Sequence, residues 1–100
     1  MAKHTYKIVA GGDLQLLRKG KLDLQEKWRE VDGYIEIVKA VFDGKTCDMI
    51  INEEGKIHNL PVNIKATFGY NEALGIINPD EWVDVINGDV LVEMRVKETK

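Results

Sequence analysis

The spacing of apolar residues changes several times along the chain, and each change marks an element. Tyr6–Ala10 is β-prone, and Gly11-Gly12-Asp13 stops it with turn chemistry. Leu14–Lys19 then returns as an antiparallel strand. Asp23 and Glu26 form a capping-box pair, in which the Asp carboxylate takes an early backbone N–H and Glu26 reaches back to the cap. Leu24, Trp28 and Val31 follow at i, i+4 and i+7, one apolar stripe that predicts a helix packed through Trp28, while Gln25, Lys27, Arg29 and Glu30 face water. Asp32-Gly33 ends this helix, with Gly33 suited to the left-handed position after it.

Tyr34–Phe42 is a long β-rich run, and Asp43-Gly44 is a strong two-residue hairpin signal between it and Thr46–Asn52. Glu54-Gly55 predicts a second turn, with a return strand through Lys56-Ile57-His58. Alternation within these runs is imperfect, so it does not assign the buried face. Leu60-Pro61-Val62 breaks the strand, and Asn63 caps a short helix through Ile64 and Phe68 that Gly69 is expected to stop. Asn71–Trp82 is irregular, with Asn78-Pro79-Asp80 a turn. Asn87-Gly88 leads from Val83–Ile86 into the best strand pattern, where Val90, Val92, Met94 and Val96 alternate with Leu91, Glu93, Arg95 and Lys97. The tail Glu98-Thr99-Lys100 is expected to fray. The expected fold is α+β: a twisted antiparallel sheet of five or six strands with two short helices, in a single domain over residues 1–100.

Length supports that reading, because a chain of 100 residues buries roughly 60–65% of its unfolded surface and needs no metal or disulfide to fold. A net charge of −3, from 14 basic and 17 acidic residues, is too balanced for a dedicated phosphate binder, which argues against nucleic acid as a partner, and too weak for a mimic of the phosphate array. Cys47 is the single cysteine, which excludes an internal disulfide and points to a reducing compartment, the cytoplasm. No apolar run approaches the ~18 residues of a membrane span, and the N-terminal run is too short for a signal peptide.

Candidate chemistry is sparse. Asn52-Glu53-Glu54-Gly55 lacks the alternating oxygen ligands of a calcium loop and reads as a polar turn. His4 and His58 are the only histidines, and neither shares metal-ligand spacing with the other or with Cys47. Cys47 lies in an apolar run, as a small hydrophobe does. Gly11-Gly12-Asp13 lacks the Lys-Ser/Thr ending of a phosphate loop. Lys19, Lys21, Lys27 and Arg29 are interrupted by Asp23, Glu26 and Glu30, as on a solvated helix face. Trp82, set among Asp80, Glu81 and Asp84, is read first as buried and second as an anchor for a partner. No catalytic constellation, metal site or cofactor motif emerges, so an enzyme is not expected.

Gly33-Tyr34-Ile35-Glu36, Asn52-Glu53-Glu54-Gly55, Leu60-Pro61-Val62-Asn63 with Ala66-Thr67, and Gly88-Asp89-Val90 occur in this order, and together they make the chain resemble domain-of-unknown-function family 3846. Members of that family are short proteins carried mainly by bacteriophages and bacterial mobile elements. The resemblance implies a phage-related accessory role in a host bacterial cytoplasm, and brings no reaction or catalytic residues with it. Glu36, Asn52, Asn63 and Thr67 lie inside these segments without being obvious core residues, and Glu53 sits beside them. Their simplest roles are structural: Asn63 as a cap, Thr67 bonding back to a carbonyl, Asn52 and Glu36 holding a turn. On capping alone, Asp or Ser replaces Asn63 with little loss.

The alternative role for this set is a ligand pocket. The expected function is therefore non-enzymatic binding, first of a host protein, a defence or takeover target, engaged through the Trp82 region or a sheet edge. The alternative is a binding or sequestering protein for a small metabolite or nucleotide signal, held around Asn52 and Asn63, with a homo-oligomer interface as one setting.

Overall fold

The computed structural model describes residues 2–96, so the tail expected to fray lies outside the described residues. Five strands and two helices follow one another as β1 (Ala2–Ile8), β2 (Leu14–Arg18), α1 (Leu24–Val31), β3 (Ile35–Phe42), β4 (Lys45–Asn52), α2 (Ile64–Ala73) and β5 (Val90–Val96). A turn of 3-10 helix, Pro79–Glu81, lies between α2 and β5 and is capped by Asn78. The strands form one antiparallel sheet in the order β2-β1-β5-β4-β3. This is the α+β architecture that the hydrophobic pattern predicts.

The last strand enters the centre of the sheet, between β1 and β4. Val90, Val92 and Met94 point to one face, where they meet Ile8, Ala40, Phe42, Cys47, Met49, Ile86 and Ala66 of α2. Leu91 points to the other, against Ile50, Leu22 and Val31 of α1. One helix thus covers each face, and for this reason β5 is buried on both sides from Val90 to Met94. At the β3–β4 turn, Asp43 and Gly44 both take positive φ, 52° and 72°. That backbone matches the strand twist and is open to few residues other than Asp, Asn and Gly.

Helix α1 starts as expected: Asp23 Oδ1 accepts from Glu26 N–H at 2.8 Å and Glu26 Oε1 accepts from Asp23 N–H at 3.0 Å. At its other end the left-handed residue is Asp32, φ 61°, rather than Gly33. Gly33 is needed for close approach instead, since a Cβ there would stand 2.8 Å from Asn52 Nδ2.

The predicted stripe of α1 is also corrected. Val31 is 2% exposed, but Leu24 is 52% and Trp28 39% exposed. The short helix buries the line Lys27–Val31, one position round from the predicted stripe, and Leu22 ahead of the cap supplies the remaining apolar contact. Trp28 leans edge-on against Tyr34, with ring centroids 5.9 Å apart. We expect Trp28→Ala to cost about 1 kcal/mol, not the ~3–5 kcal/mol of a core aromatic deletion. Urea unfolding measures this, and a loss above about 3 kcal/mol would contradict the exposed placement.

Two more expectations are overturned. Lys56-Ile57-His58 forms no strand; residues 53–59 wind through turns closed by His58 N–H to Glu54 O and Leu60 N–H to Gly55 O, 3.0 Å each. Beside the end of β4 the approach to β5 takes the place of a return strand, since a Cβ on Gly55 would stand 2.7 Å from Asn87 O. Helix α2 does not stop at Gly69 but runs on to Ala73, and Gly75 takes the left-handed conformation beyond it. Gly69 is there to admit the Phe42 ring, since a Cβ would lie 2.4 Å from its Cζ. Gly69→Ala should therefore destabilise by about 1–3 kcal/mol through overpacking, although in an open helix the same change stabilises by about 1 kcal/mol. A gain in melting temperature would show that α2 does not sit this close to β3.

Candidate functional site

Helix α2 meets the sheet through Ala66 and Gly69, and beside them it buries a polar face. Asn63, Thr67 and Asn71, spaced i, i+4 and i+8, are all 0% exposed. Asn63 Oδ1 accepts from Ala66 N–H at 3.2 Å, the expected cap, while its amide donates to Ile8 O at 3.0 Å and Gly88 O at 2.9 Å. Thr67 Oγ1 donates back to Asn63 O at 2.7 Å and accepts from Ile86 N–H at 2.9 Å. Asn71 donates to Thr67 O and Asp84 O, and its Oδ1 accepts from Val83 N–H at 3.1 Å.

These three side chains act as a hydrogen-bonding ladder. They tie the irregular segment 83–88, which has no strand neighbour along most of its length, to the helix and to β1. Their donors and acceptors are engaged by backbone, as buried polar groups require. Asn71 is absent from the sequence-derived set because the helix was expected to end at Gly69; its spacing from Asn63 and Thr67 is the signal that points to it.

Asn52, on β4, does similar work elsewhere. Its amide donates to Val31 O at 3.0 Å and Asp32 O at 3.2 Å, closing the carboxyl end of α1, and Oδ1 accepts from Glu54 N–H at 2.8 Å. Glu36, Asn52 and Glu53 line one small cleft of about 120 Å³, below the ~300–1,000 Å³ usual for small-molecule sites. The six candidate residues thus fall in three places: Asn63 and Thr67 beneath α2, Glu36, Asn52 and Glu53 around this cleft, and Trp82 beyond the end of α2.

Trp82 is half-buried and meets Phe68 of α2 edge-to-face, with centroids 4.8 Å apart. Its indole N–H is covered and finds no acceptor among the described residues. Phe68 is exposed, as are Ile64 one helical turn earlier and Val83 next to Trp82. Large apolar side chains therefore gather on the outer flank of α2.

Two titratable groups lie far from their ordinary values. Burial, with Asp48 nearby, pushes the Cys47 thiol up to about 11, which keeps it protonated. The hydrogen bond from Arg18, with that from the Asp23 backbone, holds the Glu26 carboxyl down at about 2, as in a surface ion pair joining β2 to α1. Among the described residues, no three His, Cys, Asp or Glu side chains gather as a metal site, and no helix is long and apolar enough to cross a membrane.

The fold and the ladder define an α+β protein whose buried Asn and Thr side chains bond to its own backbone. The chain belongs to the family described as Domain of unknown function (DUF3846), whose model matches residues 6–98. No curated protein and no solved structure matches it.

Proposed function

We propose that the protein is a non-enzymatic, phage-type accessory protein of the bacterial cytoplasm that acts by binding a host protein. The observation that supports this most is the Phe68–Trp82 pair on the outer flank of α2, with exposed Ile64 and Val83 beside it. Tryptophan and other aromatics carry a disproportionate share of binding energy at protein interfaces. The segment that presents Trp82 is irregular in backbone yet fixed by the Asn71 bonds to Val83 and Asp84, so the surface is pre-organised and little ordering entropy opposes association.

The unmet indole N–H is a local cost of about 1–3 kcal/mol, which a partner carbonyl would relieve once the ring shifts. Trp82→Ala should weaken capture of the partner from a bacterial lysate by at least about tenfold, which is about 1.4 kcal/mol, and leave a cooperative melting transition. Full capture by this variant, or its failure to fold, would reject the reading.

A further inference from the structure

The centre of the sheet opens at one end. Strands β4 and β5 pair only through Asp48–Glu93, Met49–Val92 and Ile50–Leu91. Beyond that point β4 stays with β3 as far as Lys45–Phe42, and β5 stays with β1 as far as Val96–Ala2. The two ribbons therefore part, and between them lies a groove of about 600 Å³ lined by Thr46, Cys47 and Asp48 on one side and Glu93, Met94 and Arg95 on the other. Among the described residues, no strand pairing crosses the gap beyond Asp48–Glu93.

Charge collects around it. Lys3, Lys39, Lys45 and Arg95 line the groove, against the carboxylates of Asp48 and Glu93. Both carboxylates are already countered: Lys39 Nζ lies 2.6 Å from Asp48, and Lys27 Nζ of α1 lies 3.2 Å from Glu93. Asp48 is held below its ordinary range first by the Lys39 hydrogen bond, and Lys3 and Lys21 add to the effect, so both are within electrostatic reach. No carboxylate among the described residues forms an ion pair with Lys3, Lys45 or Arg95. The register places Lys3 directly opposite Arg95, so their side chains leave the same face together. Met94 and Cys47, both buried and turned to the α2 face, contribute the apolar part of the groove's lining.

From this geometry we propose that the gap between β4 and β5 binds a small phosphate-bearing ligand with a flat apolar body, of the nucleotide class. Its volume is within the usual range for such sites. Lys3, Lys45 and Arg95, which make no ion pair among the described residues, suit phosphate oxygens, and the sulfur atoms of Met94 and Cys47 suit an apolar ring. The site is independent of the Phe68–Trp82 surface, and it sits on a chain whose net charge is −3, so the attraction is local.

The test is an NMR titration of the ¹⁵N-labelled full chain with ADP, GDP and, separately, inorganic phosphate. The site predicts saturable shifts at the amides of Thr46–Asp48 and Glu93–Arg95 with a nucleoside diphosphate, with a Kd below about 1 mM, and weaker shifts at the same residues with phosphate. The double variant Lys3→Gln/Arg95→Gln should weaken binding about tenfold or more, while Lys65→Gln on α2 leaves it unchanged. Should the double variant lose its fold, exposed Lys45→Gln alone decides, with a loss of about threefold expected. Absence of saturable shifts in the groove, or undiminished affinity in the folded variants, would overturn the proposal. So would binding of a single-stranded oligonucleotide, with a steep salt dependence, in place of either nucleotide.

Discussion

Asn63→Asp should destabilise the protein by about 3–5 kcal/mol at neutral pH, making it one of the most damaging single-atom exchanges in the chain. Judged as a cap alone, the change is nearly silent, because Asp and Asn cap helices comparably. The structure gives the residue a second task. Its amide donates to Ile8 O and Gly88 O in a site with no solvent exposure, and a carboxylate would turn an oxygen toward both carbonyls.

Burial and the two carbonyls would raise the new carboxyl's pKa in the folded state above its unfolded value. The folded form then holds the proton more tightly, so stability falls as pH rises through that range and recovers on acidification. The deficit in melting temperature, roughly 12–40 °C for a domain of this size, should therefore narrow between about pH 7 and pH 5. Thermal unfolding at the two pH values measures it. A variant within about 1 kcal/mol of the wild type at pH 7 would reduce Asn63 to a cap.

Lys27→Met carries the second large effect, about 3 kcal/mol. Glu93 sits in the central strand at 7% exposure, directly opposite Asp48, a like-charged neighbour of the kind that destabilises antiparallel pairs. Lys27 Nζ, 3.2 Å away and itself only 18% exposed, is the cation on α1 that compensates it, even though Oε2 accepts no well-aligned hydrogen bond. Methionine keeps the packing of the stem and removes the charge. Glu93→Gln in the Lys27→Met background should restore most of the loss, because it removes the stranded carboxylate. Denaturant unfolding of the four proteins in the cycle measures the coupling. Simple additivity would mean that Glu93 is solvated well enough to need no partner.

The sequence made the local devices readable because each rests on a few neighbouring residues. The Asp23–Glu26 box, the Asp43-Gly44 hairpin and the Asn63 cap all stand where their chemistry implied. What it left hidden depends on residues far apart in the chain. Trp28 was expected in the core because Leu24, Trp28 and Val31 align; instead Lys27 faces inward, since the partner it meets is Glu93, 66 positions away in a strand whose central place is set only by topology. Gly69 reads as a helix stop until Phe42 is seen against it.

The polar face of α2 defeats the amphipathic rule for a similar reason. One face of the helix packs against a loop whose backbone needs partners, so that face carries Thr67 and Asn71, with Asn63 at the cap, rather than Leu. Of the polar set Glu36, Asn52, Asn63 and Thr67, the first two meet at one small cleft while Asn63 and Thr67 lie apart from them at α2, because proximity in the family-like segments carries no information on where the sheet order puts them.

The surroundings of α2 divide into an inner polar face that holds the fold and an outer aromatic flank, which we propose meets a partner. The most direct test compares Phe68→Ser with Thr67→Val, measuring melting temperature and partner capture from a bacterial lysate at a temperature where both are folded. Thr67→Val should lower stability by about 1–3 kcal/mol, because it strands the Ile86 N–H, and leave capture intact. Phe68→Ser should barely shift the melting temperature and abolish capture. The reverse pattern, with capture lost in Thr67→Val and kept in Phe68→Ser, would contradict this division.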